Sequence, residues 1–210
     1  MAKKKRINKK PMIYMLVILL IIGIGTIYLS SRHHNDIEEY QVDGLSIQHQ
    51  FLTVNPNSRS GKTLPRVNGI VIHYTANPGS TAQNNRDYFE NLKITRTTSV
   101  SSHFIIGLEG EIIQCIPLNE VAYASNNRNK DTISIECCHP DESGQFNDAT
   151  YQSLQKLVRA LMDTYHLQSQ DVIRHYDITG KICPKYFVEH EDAWEQFKAD
   201  VQQQIGVLAS

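Results

Sequence analysis

Between Met12 and Leu29 the chain reads MIYMLVILLIIGIGTIYL, 18 residues without a charge. A run of that length crosses a bilayer core at the short end of the usual range. It separates two parts of different composition. Six of the 21 basic residues (Lys3, Lys4, Lys5, Arg6, Lys9 and Lys10) precede it, with no acid among them. The other 15 face 22 acidic residues, so the rest of the chain carries a net charge of −7. Basic residues flanking a span stay on the cytoplasmic side. The arrangement predicts a single-pass protein of the cell membrane, N-terminus cytoplasmic and bulk outside. The rival expectation is secretion after cleavage of a signal peptide. A signal ends in small residues of the A-x-A kind, whereas this run leads into IYLSSRHH. The acidic body argues against nucleic acid as a partner, since phosphate binding needs a basic face.

The expected segments are a basic cytoplasmic stretch at 1–11, an anchor at 12–30, a polar linker at 31–46 and a folded domain at 47–206. From Ile47 to Pro65, turn formers such as NPNSRSG predict irregular chain wrapped over the start of the domain. Val67–Tyr74 (VNGIVIHY) is β-branched and apolar and predicts a buried strand. Ser80 with Gln83 three residues on reads as a capping box. It predicts a helix to about Lys93, with Ala82, Phe89 and Leu92 inward. His103–Leu108 and Glu111–Ile116 read as two strands of a hairpin around Glu109-Gly110. Asp131–Cys138 alternates, with Ile133, Ile135 and Cys137 on one face and Ser134, Glu136 and Cys138 on the other. Tyr151, Leu154, Leu157, Val158, Leu161 and Tyr165 recur at helical spacing after a cap at Asn147 or Asp148. Val172–Arg174 reads as a short strand, and Trp194, Phe197 and Val201 mark a last helix from about Glu189 to Ile205. The alternation predicts one α/β domain, a mixed central β-sheet flanked by helices, preceded by an N-terminal transmembrane helix.

The stretch Arg174–Pro184 (RHYDITGKICP) carries the chemistry. His175 and Cys183 are ligand types that zinc favours. Asp-Ile-Thr-Gly between them reads as a turn that brings both to one point. A third ligand has to come from elsewhere, and His73 in GIVIHYT is the best candidate. Three protein ligands leave a fourth position for water, which becomes acidic at such a metal. Glu136 is a carboxylate in an apolar strand, costly to bury unless the site needs it. Near a metal it can take a proton from water and hand it to a leaving amine. Lys181, two residues before Cys183, can aim an ammonium at a developing oxyanion. Cys115, Cys137 and Cys138 are expected to be buried, inert thiols.

Four stretches, IVIHYT, SHFIIGLEGEIIQCIP, TISIE and RHYDITGKICP, resemble the zinc-dependent N-acetylmuramoyl-L-alanine amidases of the type-2 family, related to peptidoglycan recognition proteins. The likeness covers about Val67–Phe187. It implies a mixed sheet with flanking helices and a zinc amidase catalytic domain at 47–206, with peptidoglycan as partner. The bond cut would join the lactyl group of N-acetylmuramic acid to L-alanine. It implies one Zn²⁺ held by His73, His175 and Cys183, with Glu136 and Lys181 catalytic. Tyr74, beside His73, is expected to contact substrate. Two departures stand out. Ser102 occupies a position where some members have tyrosine, and Ala122-Tyr123-Ala124-Ser125 replaces Trp-His-Ala-Gly. Two other functions remain in view: a peptidoglycan-binding module that does not cut, and a thiol peptidase pairing Cys183 with a histidine.

Overall fold

Seven strands pair into one mixed sheet, with the apolar run Ile70–Tyr74 deep inside it. The strands are β1 (Glu38–Val42), β2 (Leu45–His49), β3 (Ile70–Tyr74), β4 (Phe104–Ile106), β5 (Ile112–Gln114), β6 (Ile133–Cys137) and β7 (Val172–Arg174). Their order across the sheet is β1-β2-β5-β4-β6-β3-β7. Pairs β1–β2 and β4–β5 are antiparallel, and the remaining four are parallel. The computed structural model describes residues 38–42 and 44–203. The chain divides into two units, Met1–Ile37 and Glu38–Ser210, and the described residues belong to the second. The basic segment at 1–11 and the anchor at 12–30 lie outside the described residues. Among the described residues no helix is long and apolar enough to cross a membrane.

Ile70, Val71 and Ile72 of β3 are fully buried, with β6 and β7 flanking the strand. Each such side chain contributes about 1.5–3 kcal/mol on burial. The helices are α1 (Ala82–Thr95), α2 (Asp148–Tyr165), α3 (His175–Thr179), α4 (Lys185–Glu189) and α5 (Glu191–Gln203). The alternation read from the sequence sorts the two faces. Ile70, Ile72, Ile133, Ile135 and Cys137 pack with Leu154, Leu157, Val158 and Leu161 of α2 and with Trp194, Phe197 and Val201 of α5. Ile105, Ile113, Cys115 and Cys138 pack on the other face with Ala82 and Phe89 of α1. Helix α1 lies on β4 and β5, toward one side of that face.

Several elements differ from the sequence reading. The sheet starts earlier than a linker at 31–46 allows: β1 and β2 form a hairpin that joins β5 through β2. Leu45 and Ile47 are buried, so the alternation in Leu45–His49 suits a half-covered strand, while the polar composition around it suggested a linker. The cap of α1 is Thr81, whose hydroxyl accepts from Asn84 N while the Asn84 side chain accepts from Thr81 N. Ser80 instead donates to Asn77 O and accepts from Asn85. The last helix, expected from about Glu189, runs over Glu191–Gln203, and an unexpected short helix, Lys185–Glu189, precedes it, the two parted at His190, whose backbone leaves the helical region. Asn147 caps α2 as read, accepting from Thr150 N.

The irregular chain expected from Ile47 begins only after β2 ends at His49, and two polar clamps hold it. The Arg59 guanidinium grips Glu120 with both ends and donates to Leu52 O. Glu90 on α1 accepts from Thr53 N and Thr53 Oγ1 and pairs with Lys93 and Arg86. Partial burial opposes the Glu90 charge, but the hydrogen bonds from Lys93 and Thr53 and the Arg86 charge outweigh it and draw the carboxyl down to about 2. A depressed carboxyl stabilises the fold above its unfolded pKa and loses that contribution as pH falls through its folded one. The relevant window runs from the ordinary carboxyl value of 4.5 down to about 2. Glu90 is largely solvent-screened, so its contribution is about 1 kcal/mol. The Glu90→Gln variant is therefore expected to melt about 2–4 °C below wild type near neutral pH. That gap should close between pH 4.5 and 2. Thermal melts at a series of pH values check this, and a gap that does not change with pH removes the role assigned to the charge.

Candidate active site

The parallel strands β3, β6 and β7 end on the same side of the sheet, where α/β folds build their sites. In register, His73 of β3 lies opposite Glu136 of β6, so both project from the face that carries α1. His175 follows β7 directly as the first residue of α3. The expected turn after it is a short helix. Asp177 accepts from the Arg174 backbone N and from its guanidinium, which starts the helix. Gly180 ends it in the left-handed region with φ 76°, a conformation glycine adopts without strain. The chain then turns back, with Tyr176 N donating to Cys183 O at 2.9 Å, and Cys183 reaches the end of β3.

His73, His175 and Cys183 meet there, buried, with one donor atom from each within 4.8 Å of the others. Cys183 Sγ lies 3.7 Å from His73 Nδ1, and the two imidazole centroids are 4.8 Å apart. The other ring nitrogens have partners. His73 Nε2 is 3.2 Å from Ser125 Oγ, and His175 Nε2 is 3.0 Å from Asn126 Oδ1. Metal-binding histidines are commonly held in this way through the nitrogen that does not bind.

Burial, together with the His175 and Lys181 charges, holds His73 well below its usual range. Burial and Lys181 lower His175 as well. Both rings are thus neutral near pH 7 and can each offer a lone pair. Burial and the Glu136 charge push the Cys183 thiol up to about 12, against the Tyr74 backbone N–H and Lys181. Glu136 Oε2 is buried and has no hydrogen-bond partner. Burial drives its carboxyl up to about 8, with Lys181 pulling the other way. These groups line one cleft of about 570 Å³, within the range of ligand sites. Tyr74 lines it too, its ring 5.1 Å from that of His139. All six residues singled out in the sequence share this cleft. The segment 98–100, Tyr123 and Ala124 also line it.

The N-acetylmuramoyl-L-alanine amidase (Amidase_2) model matches residues 63–186. This chain belongs to that family. It is 36% identical over 170 residues to N-acetylmuramoyl-L-alanine amidase CwlL of Bacillus licheniformis, covering 74% of this chain and 46% of that protein. N-acetylmuramoyl-L-alanine amidase BlyA of Bacillus subtilis (strain 168) is 33% identical over 173 residues, 72% of this chain and 46% of its own length. The chain thus spans about half the length of these curated relatives. Among solved structures, the catalytic domain of XlyA superposes with a TM-score of 0.62 at 28% identity, covering 74% of this chain and 98% of that one. PlyL gives 0.62 at 26% identity.

The sequence reading noted Ser125 only as part of a departure from the family's pattern and gave neither Ser125 nor Asn126 a role. They lie in a polar loop ahead of β6 with no spacing that signals chemistry. Only the folded chain brings them under the two rings. Cys115, Cys137 and Cys138 are free and buried as expected. Burial raises the thiols of Cys115, Cys137 and Cys138, which leaves them unreactive.

Proposed function

We propose that this chain hydrolyses the amide between the lactyl group of N-acetylmuramic acid and L-alanine in peptidoglycan, with one zinc ion held by His73, His175 and Cys183. The observation that carries this reading is the convergence of those three donors within 4.8 Å, in a cleft shared with Glu136 and Lys181. The names of the relatives point to the bond. Two imidazoles and a sulfur suit zinc, and three protein ligands keep a fourth position open. When bound, zinc acidifies a water molecule and polarises a carbonyl.

The chain's own groups supply the rest. Glu136 Oε2, buried and without a partner, is free to take a proton from the attacking water and return it to the departing L-alanine nitrogen. Its elevated pKa lies near the working pH, where proton transfer in both directions is efficient. Lys181 sets a positive charge beside the reacting carbonyl oxygen. Tyr74 and the wall at 98–100 contact the sugar and stem peptide. A module that only binds gains nothing from an unpaired buried carboxylate, which costs about 1–3 kcal/mol or more. A thiol peptidase needs a lowered thiol pKa, and Cys183 is shifted the other way. The charge-free run at 12–29 and the basic residues before it support a membrane anchor that places the domain outside, facing the wall.

Digestion of purified peptidoglycan by the full chain, followed by mass spectrometry, tests the reaction. Intact glycan strands and new L-alanine amino termini are expected, whereas new reducing sugar ends would mean a glycosidase. Glu136→Gln is expected to lower turnover about 100- to 10,000-fold, and Lys181→Met about 100- to 1,000-fold. Acting on one transition state, the two together should cost less than the product of their effects. Near-normal turnover in Glu136→Gln would make this glutamate a bystander. Metal analysis should give about one zinc per chain. Cys183→Ser should retain it less well, a hydroxyl being a poorer ligand than a thiolate. Undiminished zinc in a His73→Ala, Cys183→Ser double variant would put the metal elsewhere. For topology, external protease on cells stripped of wall should digest the domain while the protein fractionates with membranes. A soluble form starting near Ser31 would favour secretion instead.

A further inference from the structure

We propose that Ser125 and Asn126 act together as positioning residues, fixing which ring nitrogen each of the two histidines presents to a bound metal ion. The inference deepens the metal-site reading above and rests on it. Two neighbouring residues reach two rings that come from different elements. Ser125 Oγ is 3.2 Å from His73 Nε2, and Asn126 Oδ1 is 3.0 Å from His175 Nε2. An amide oxygen only accepts, so His175 Nε2 carries its hydrogen, and the neutral ring then keeps its lone pair on Nδ1. In His73 the nitrogen nearer the sulfur is also Nδ1, 3.7 Å from Cys183 Sγ. Both rings therefore turn Nε2 to the dipeptide and leave Nδ1 for the donor cluster. A ring flip would exchange the two nitrogens, and the hydrogen bonds oppose it.

The dipeptide is itself held rigidly. Asn126 sits in the left-handed region at φ 53°, which asparagine tolerates better than most residues. It opens a short 3₁₀ turn, Asn126–Arg128, in which Arg128 N donates to Ser125 O at 2.9 Å. The Asn129 side-chain oxygen accepts from the N–H groups of both Ala124 and Ser125. Tyr123, at the start of this loop, exchanges hydrogen bonds with Ser101: Tyr123 N donates to Ser101 Oγ, and Ser101 N to Tyr123 O. The hydroxyl and the amide are thus fixed by the backbone before any ligand arrives. Ser125 is also buried at 1% exposure, so water does not compete for His73 Nε2.

The test uses the purified full chain in detergent and zinc itself, with affinity read by competition against a chromophoric chelator. Asn126→Gly keeps the left-handed backbone without strain and removes the amide. It is expected to weaken zinc binding about 10- to 100-fold, the usual effect of losing such an outer partner. Asn126→Asp keeps the acceptor and should bind zinc at least as tightly as wild type. Ser125→Ala removes one hydroxyl and should weaken binding about 10-fold. Long-range ¹H–¹⁵N spectra of the zinc-loaded chain should show both rings protonated at Nε2 in wild type, and His175 losing that single state in Asn126→Gly. A purely structural loop residue would change melting temperature without this pattern of loss and rescue. Wild-type zinc affinity in both Asn126→Gly and Ser125→Ala overturns the inference and leaves the metal site standing. Equal losses in Asn126→Gly and Asn126→Asp overturn the assigned acceptor. A wild-type chain that takes up no zinc removes the metal reading, and this inference with it.

Discussion

The register of β3 against β6 is the constraint on which the site depends. Side chains on a strand alternate faces, so a slip of one residue reverses every one of them. Here Ile70 pairs with Ile133 and Ile72 with Ile135, and their side chains face α2 and α5. The same register sets His73 beside Glu136 on the opposite face. A slip would drive an imidazole or a carboxylate into the apolar layer, where burying an unpaired polar group costs several kcal/mol. The hydrophobic core therefore fixes the geometry of the chemistry without touching it. Helix α1 covers β4 and β5 on the site face, and over β3 and β6 a cleft opens.

Arg174 does for the C-terminal half what the register does for the centre. Its guanidinium is buried, pairs with Asp177 and Glu191, and donates to Phe187 O. It lies 5.4 Å from the Tyr176 ring and 5.3 Å from that of Trp194. One side chain thereby ties α3, α4 and α5 to the end of β7. Buried ion pairs add little net stability, because desolvation offsets attraction. Their geometry is specific, however, and the planar guanidinium admits few arrangements of its partners. His175 is the next residue, so its placement is set by that arrangement.

Much of this was legible in the sequence. Period-two alternation gave β6 both of its faces, and the 3.6-residue stripe of Leu154, Leu157, Val158 and Leu161 gave α2. His175 and Cys183, eight residues apart, pointed to one site, and Glu136 was conspicuous as a charge in an apolar strand. The failures have physical causes. Whether Ser80 or Thr81 caps α1 depends on which hydroxyl the backbone aims at the free N–H groups, and both residue types suit the role. In β2 the exposed Ser46 alternates with the buried Leu45 and Ile47, so one face carries polar residues and the local composition resembles a linker. Ser125 and Asn126 act on side chains distant in sequence, and nothing local to them records it.

The donors also connect the site to the stability of the fold. Cys183 is 110 positions from His73, so the cluster exists only when the central sheet and the C-terminal segment have come together. Alone, the cluster is a burden: it buries two imidazoles and a thiol. A ligand that binds the folded chain and not the unfolded one adds stability by mass action, about 4 kcal/mol at a thousand times its dissociation constant. Under the metal reading, the groups that weaken the apoprotein become the contacts that fasten α3 and the loop before α4 to β3. Glu136 gains no such compensation from coordination, because it lies outside the three-donor cluster. Its unpaired oxygen remains a standing cost of the fold, which the proton-transfer role proposed for it would offset.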